Sequence, residues 1–513
     1  MGGSTHFLPA AGWLLGAGLL CCLGRGVALP FPDFGIPGPV SNSAKVRTGA
    51  LAISNDFNNV DEYGIELLSS YSTLAIVRDT LYSISEEVAS AGKAIGTAFA
   101  TLATSTGPSI DTVFNGATSA ITSMEALLST SFTEEYTTLE NAIGSYVTDE
   151  FRDSFTELTG ALNSLRQAVG RLKPAVEQAK TASKNSATIA PTLISKYVTP
   201  KMIQDVLDGL VRTRANIQVI TYTVTNSLSK LEVADEFIID ITAEAEMQSV
   251  GVESAFEEFS IATTSVASDT SDELVEALQE GYGLETDAIA LIQTELDAST
   301  DFTINFVPQL STVDGILGTA ALASFGLDIN DRIADYLELL GAVDDDVTTF
   351  FSDEACLPIF ELVHVLIDNG PYATFCFEKY AAQVFNLFPN FVSLASNCYA
   401  DESVKLDALY VAVLPLVQLI LFDVEDLSES LTTCISYPDD ALCFSMISPL
   451  YETLLALTTT KRDYILQLFE HETDASVQRF SACYHAQKFR LRQVMYELET
   501  DVELCETEGP LGG

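Results

Sequence analysis

Apolar residues recur at alternating steps of four and three along much of the chain, which is the spacing of one face of an α-helix. The clearest run has eight members without a miss: Phe151, Phe155, Leu158, Leu162, Leu165, Val169, Leu172 and Val176. A second run extends from Ile203 to Leu231, and the Thr199-Pro200 pair before it is typical of a helix start. The pattern therefore predicts an all-α protein, an extended bundle of long antiparallel helices.

Strand patterns are nearly absent from the sequence. The β-branched segment 220–224 lies in phase within the second helical run, so it is predicted to be helical. In the last third we predict four helices, at about 372–398, 402–434, 440–470 and 474–505. Pro389 predicts a kink in the first of these, because proline lacks a backbone donor.

The N-terminal residues have the pattern of a secretory signal peptide. Residues 7–23 are apolar, and the small residues 26–28 form a cleavage site before Leu29. No basic residue precedes the apolar run, so an uncleaved anchor is the alternative, which Pro9 and several glycines disfavour. We predict a signal peptide at 1–28, a Pro/Gly-rich extended leader at 29–45, and a secreted, extracellular protein.

No further segment is predicted to cross a membrane. The best candidate, residues 408–422, is short and contains Pro415 and Gln418, so it is predicted to be a buried helix. The remaining chain divides into a cysteine-free helical, coiled-coil-like region at 46–350 and a disulfide-stapled helical domain at 351–508.

Seven cysteines lie in the last third, a clustering that indicates disulfides in an exported protein. They are Cys356, Cys376, Cys398, Cys434, Cys443, Cys483 and Cys505. Cys376 and Cys398 are 22 residues apart, which is about six helical turns. Cys483 and Cys505 have the same separation. Two antiparallel helices with equal spacings can be joined at both ends, which predicts the pairs Cys376–Cys505 and Cys398–Cys483. Cys434 and Cys443 then close the loop between the two middle helices.

Cys356 is left over from this pairing. Two alternatives remain for it: a buried thiol, or a bridge that makes a dimer of two chains.

The cysteine pattern resembles that of the insect secreted family named after the tsetse EP protein. The motif C-F-x-x-Y at Cys376, Phe377 and Tyr380 and the five cysteines that follow it carry the resemblance, which covers residues 350–508. The Glu-Pro repeats of the tsetse protein are absent. The resemblance implies a gut, reproductive or other epithelial secretion without an established enzymatic role.

Charge is strongly acidic and unevenly distributed. The chain has 25 Lys and Arg residues against 72 Asp and Glu, a net charge of −47. Such a surface repels nucleic acid, so we expect no nucleic-acid partner. Nine cations lie between Arg166 and Arg214. They are either a basic face for an anionic ligand or partners that neutralise acidic neighbours within the molecule, and we expect the second.

Motifs for chemistry are weak, so we predict no enzymatic activity and no cofactor or metal. His364, His471 and His485 lack the spacing of a metalloprotease helix, and no GxSxG or phosphate loop is present. Acidic runs at 328–331 and 344–346 resemble calcium loops but lack the glycine and terminal glutamate of an EF-hand, so solvated loops are predicted there.

Two functions remain. The leading prediction is a secreted, non-enzymatic interaction or scaffold protein of an insect epithelial secretion that binds an extracellular protein or a surface layer. The alternative is an extracellular carrier of a hydrophobic small molecule such as a lipid or a steroid-like hormone. Its pocket would be lined by Phe377, Phe385, Phe388 and Phe391, within a dense cluster of aromatic residues that is otherwise predicted to be core.

Overall fold

The computed structural model describes residues 33–105, 109–350, 354 and 356–511, with the side chains of 343–349 and 511 excepted. Within these residues the protein is all-α, and its only β-type pairing is an isolated bridge between Asp33 and Ile36. The predicted signal peptide lies outside the described residues. The helices are α1 (Ser43–Asn58), α2 (Ser72–Thr104), α3 (Ile110–Thr130), α4 (Thr133–Ile143), α5 (Tyr146–Ala182), α6 (Pro191–Tyr197), α7 (Pro200–Ala298), α8 (Thr300–Asn305), α9 (Val307–Leu317), α10 (Thr319–Phe350), α11 (Leu357–Asp368), α12 (Ala373–Phe385), α13 (Leu387–Leu421), α14 (Leu427–Ser436) and α15 (Asp440–Glu508).

The chain divides into two compact units. The first consists of Met1–Tyr63, Tyr82–Glu135 and Phe151–Val224, and the second of Gly64–Leu81, Tyr136–Glu150 and Thr225–Gly513. The domain boundary predicted at residue 350 does not coincide with this division. Helix α10, which precedes that boundary, belongs to the second unit because its side chains bond to α15: the Tyr336 hydroxyl lies 2.9 Å from the Ser476 hydroxyl.

The two predicted helical runs are buried faces of α5 and α7. All eight members of the first run are at most 3% exposed, and all apolar members of the second are at most 1% exposed. Helix α7 begins at Pro200, and Met202 N–H donates to the Thr199 hydroxyl at 3.4 Å, as the predicted N-cap requires. Segment 220–224 is helical, as predicted.

The described part of the predicted extended leader is packed instead against helices of the first unit. Phe34, Ile36 and Val40 are buried, and α1 already begins at Ser43. Phe34 N–H donates to the Leu102 carbonyl at 3.0 Å. Burial of these three apolar side chains stabilises the packed segment relative to an extended tail, in which they would be exposed to solvent.

Close approach of α1 and α2 in the first unit depends on two glycines one turn apart. A Cβ atom on Gly92 would lie 2.2 Å from the Phe57 ring, and one on Gly96 would lie 2.8 Å from the Ala50 carbonyl oxygen. The absence of side chains at both positions lets Phe57 pack fully buried against the α2 backbone.

Helix α15 is the longest element that lies wholly within the second unit, with 69 residues. The sequence predicts two helices there, at 440–470 and 474–505, and this prediction is wrong. The polar residues at the expected break do not end the helix, because Thr473 and Ser476 are buried and their hydroxyls are hydrogen-bonded. Helix α13 packs along α15 in the antiparallel sense.

The helices before α15 also differ from the predicted bounds. The predicted break near residues 398–402 is absent, because α13 continues through it. The chain breaks instead at Asn386, three residues before Pro389, which cannot donate to the preceding turn. A second break follows α13, where the Asp423 carboxylate accepts hydrogen bonds from Lys461 and the Thr458 hydroxyl of α15.

A matched pair of glycine substitutions tests the packing of α1 on α2. Gly92→Ala should lower the free energy of unfolding by about 1–3 kcal/mol, because the new methyl group overpacks against Phe57. Gly116→Ala in α3 is the control: no atom lies within 4 Å of its Cβ position, so it should raise stability by roughly 0.5–1 kcal/mol. Urea unfolding measures both, and equal stabilities for the two variants would contradict the described packing.

Candidate functional site

Three disulfides fasten α15 to the helices that precede it. Cys376 of α12 bonds Cys505, Cys398 of α13 bonds Cys483, and Cys434 of α14 bonds Cys443, with Cα–Cα distances of 5.8, 6.0 and 5.3 Å. These are the pairs that the sequence predicts. Cys356 takes part in none of them and is partly exposed. Whether it bridges two chains stays a prediction.

Two of the four phenylalanines of the predicted ligand pocket, Phe377 and Phe391, pack against different aromatic partners. Phe391 packs between the rings of Phe350 and Tyr484, at centroid distances of 5.6 and 5.9 Å. Phe377 packs edge-on against Phe237 at 5.1 Å, Phe388 is buried, and Phe385 is partly exposed. Their surroundings are those of core side chains, the interpretation preferred from the sequence.

A buried ionic network crosses the second unit beside the Cys398–Cys483 bond. Glu402 is only 2% exposed, and its carboxylate accepts from the Ser476 hydroxyl at 2.6 Å, from Lys405 at 2.6 Å and from Arg479 at 3.0 Å. These hydrogen bonds lower the pKa of Glu402 although its burial opposes them. The network joins α10, α13 and α15, since Ser476 also contacts Tyr336. With every oxygen engaged inside packed helices, it serves to position the helices.

A second buried acidic group, Asp368, ends α11. Burial and the neighbouring Glu506 carboxylate, to which it is hydrogen-bonded, raise the pKa of Asp368 to about 7, and Lys230 partly offsets this. Asp368 Oδ1 accepts no hydrogen bond from a described donor. Glu506 follows Cys505, so the Cys376–Cys505 bond holds the two carboxyl groups together.

The surroundings of this carboxyl pair are also charged and tightly packed. Burial lowers the pKa of Lys230, and the carboxylates of Glu150 and Asp368 oppose that shift. Gly144, with φ +81°, leaves room for Asp368: a Cβ atom there would lie 2.7 Å from Oδ1. Because the pKa of Asp368 is raised in the folded protein, this pair is expected to affect stability and its pH dependence.

One face of α15 remains exposed although it is apolar. Its members are spaced four or seven residues apart, so they form one stripe along the helix, and each is between 48% and 69% exposed. They are Leu442, Met446, Leu450, Leu457 and Tyr464. The opposite face of the same stretch is buried and contains Phe444, Leu455 and Ile465. We refer to these five exposed residues as the α15 stripe.

Three helical segments of the described chain are long and apolar enough to cross a membrane, judged by length and composition. They are Val307–Ala342, Ala373–Leu421 and Asp440–Glu508. The third contains the α15 stripe. The expectation that no segment spans a membrane therefore stays a prediction.

The nine cations between Arg166 and Arg214 lie in the first unit. Four of them form ion pairs with acids of that unit, at distances from 2.5 to 3.4 Å. The pairs are Arg166–Glu125, Arg171–Asp205, Lys173–Asp111 and Arg214–Asp56. This pairing favours neutralisation of acidic neighbours over a continuous basic face.

The histidines and the acidic runs do not form a metal site among the described residues. No group of three or more His, Cys, Asp or Glu side chains is suitably placed there. His364 Nε2 lies 3.0 Å from the Ala142 carbonyl oxygen. The runs at 328–331 and 344–346 lie within α10, so the solvated loops predicted for them are replaced by helix.

Four grooves lie in the first unit, and the residues that line these four do not include the phenylalanines of the predicted pocket. One of them has a volume of about 790 Å³. Sequence analysis missed it because its walls come from three separate stretches, near residues 33–47, 103–104 and 188–191. The only local signal was the apolar composition of the segment after residue 29.

Comparison with known proteins yields no relative. No protein-family model matches the chain, and neither the curated proteins nor the solved structures contain a similar protein.

Substitution of Asp368 tests the carboxyl pair. Because the folded protein holds a proton on Asp368 that the unfolded chain releases above its ordinary pKa of 3.8, stability should fall as the pH rises from about 4 to about 7. Asp368→Asn removes this cost. Its free energy of unfolding should exceed that of the parent by an amount that grows across this window to the order of 3 kcal/mol.

Urea unfolding between pH 4 and pH 8 measures the difference, with Asp463→Asn on the exposed surface of α15 as the control. A constant offset between Asp368→Asn and the parent at every pH would contradict the assignment.

Proposed function

We propose that this chain is a secreted, non-enzymatic helical interaction protein whose partner is another extracellular protein. The α15 stripe is the observation that carries the proposal. Five large apolar side chains lie exposed on one face of a helix in a chain of net charge −47. Contiguous exposed apolar surface on an otherwise charged protein is typical of an interaction site.

The stripe is supported by a rigid frame. The Cys434–Cys443 bond lies at the start of the stripe, and Phe444 behind it packs against Phe302 and Phe306 at centroid distances of 5.5 and 6.3 Å. The Ser448 hydroxyl donates to the Asn305 carbonyl. A preorganised helix face loses little conformational entropy on binding, which favours association.

Secretion is supported by the export pattern at 1–28 and by the disulfides. Three intramolecular disulfides are typical of extracellular proteins, because the cytosol keeps thiols reduced. The resemblance of residues 350–508 to the tsetse EP family supports an insect epithelial secretion as the source.

A non-enzymatic role is supported by where the titratable groups lie. The buried carboxyl groups of Glu402 and Asp368 are enclosed by packed helices. A general acid or base must reach its substrate within hydrogen-bond distance. These groups are therefore better understood as structural.

Site-specific photo-crosslinking tests the proposal. A benzophenone side chain placed at Leu450 should form a covalent adduct with a protein when the purified variant is returned to the secretion that contains it. The control carries the same group at Glu452, which is also exposed but lies about 200° further round the helix. We expect a protein adduct from position 450 and little from position 452.

Equal adducts from both positions, or none from either, would overturn the assignment of the stripe. Adducts with lipid alone would show a membrane surface in place of a protein partner. The variants should be compared by circular dichroism first, and both substitutions are at exposed positions where the fold should tolerate them.

A further inference from the structure

One groove of the first unit has the dimensions and lining of a small-molecule site. Its volume of about 790 Å³ lies within the range of about 300–1,000 Å³ found for ligand pockets. Most of the lining is apolar, with Val40, Ala103 and Ile189 buried in its walls. This groove lies in the first unit, so the inference drawn from it does not depend on the function proposed for the α15 stripe.

The walls are fixed by hydrogen bonds within and between the segments that line the groove. The Asp33 carboxylate accepts from Val40 N–H and from the Ser43 hydroxyl, both at 2.9 Å. Ile189 N–H donates to the Pro37 carbonyl at 2.9 Å, which joins the segment before α1 to the one before α6. A Cβ atom on Gly38 would lie 2.7 Å from the Ile189 carbonyl oxygen, so this contact requires glycine.

Arg47 is the cation among the residues that line this groove. The chain has 72 acidic residues for 25 cations, yet Arg47 is exposed and forms no ion pair with a described residue. Asp33 also lines the groove, but it is 6% exposed and its carboxylate is engaged by Val40 and Ser43. The guanidinium is therefore available to an anionic group of a ligand.

We propose that this groove binds a small amphiphile with one carboxylate and an unbranched apolar chain. The carboxylate lies on Arg47, and the chain lies between Val40 and Ile189, flanked by Pro39, Ala103 and Pro191. The carrier hypothesis thus has a candidate binding site in the first unit, which is distant in sequence from the four phenylalanines.

Calorimetric titration of the secreted protein with dodecanoate and with dodecanol, both below the concentration at which they aggregate, tests this proposal. An apolar groove alone would favour the alcohol, because the net charge of −47 repels an anion. We expect dodecanoate to bind about tenfold more tightly than dodecanol, the effect of one charge-assisted hydrogen bond in an apolar site.

Arg47→Gln should abolish the preference for dodecanoate. Lys45→Gln is the matched control: Lys45 lies on the same helix, is exposed and does not line the groove, so this variant should retain the preference. Ala44→Trp, which fills the groove from an exposed position, should weaken binding of both compounds.

Three results would overturn the proposal. They are dodecanol binding as tightly as dodecanoate to the parent, Arg47→Gln behaving like Lys45→Gln, and unchanged binding by Ala44→Trp. Tighter binding of a short apolar peptide with a free carboxyl end than of dodecanoate would show that the groove is a peptide site.

Discussion

The attachment of α15 to α12, α13 and α14 is the constraint on which the second unit depends. A helix of 69 residues buries only a stripe of side chains and cannot hold a defined position by its own hydrogen bonds. The two long-range disulfides close sequence separations of 129 and 85 residues, and a chain-entropy account gives each about 4–5 kcal/mol of stability relative to the reduced chain. The third, over nine residues, fixes the turn into α15. Between the Cys398–Cys483 and Cys434–Cys443 bonds, Glu402 fixes the position of α13 along α15 through hydrogen bonds to Ser476 and Arg479.

The same attachment has an electrostatic cost. Because Cys505 is bonded to Cys376, Glu506 is brought against Asp368 whether or not both are charged, and one buried lysine only partly compensates. Burial is the larger cause and Glu506 adds to it, and together they raise the pKa of Asp368 to about 7. Other buried carboxylates among the described residues are matched with cations, as Asp56 is with Arg214, or accept hydrogen bonds from N–H and O–H donors, as Asp33 does from Val40 and Ser43. The Cys376–Cys505 bond thus holds together two carboxyl groups that would repel each other if both were charged.

Much of the fold follows from local patterns in the sequence. The buried apolar faces of α5 and α7 can be predicted from the sequence, because every third or fourth residue must face the core. The matched 22-residue cysteine intervals likewise indicate two helices that lie side by side. Local patterns do not predict the breaks at Asn386 and after Leu421, or the continuity of α15 through Thr473. These features depend on partners distant in sequence, such as Lys461 for Asp423 and Glu402 for Ser476. The groove at Arg47 was missed for the same reason, and the phenylalanine pocket was suggested by composition, which does not distinguish a lined cavity from a packed core.

The disulfide attachment of α15 can be measured directly by mass-spectrometric mapping of peptides from the unreduced, alkylated secreted protein. The account predicts three linked peptide pairs, Cys376 with Cys505, Cys398 with Cys483 and Cys434 with Cys443. A bond between Cys376 and Cys398 would contradict it, because α15 would then lack both of its long-range attachments. Cys356 in place of any of the six cysteines would contradict the pairing itself.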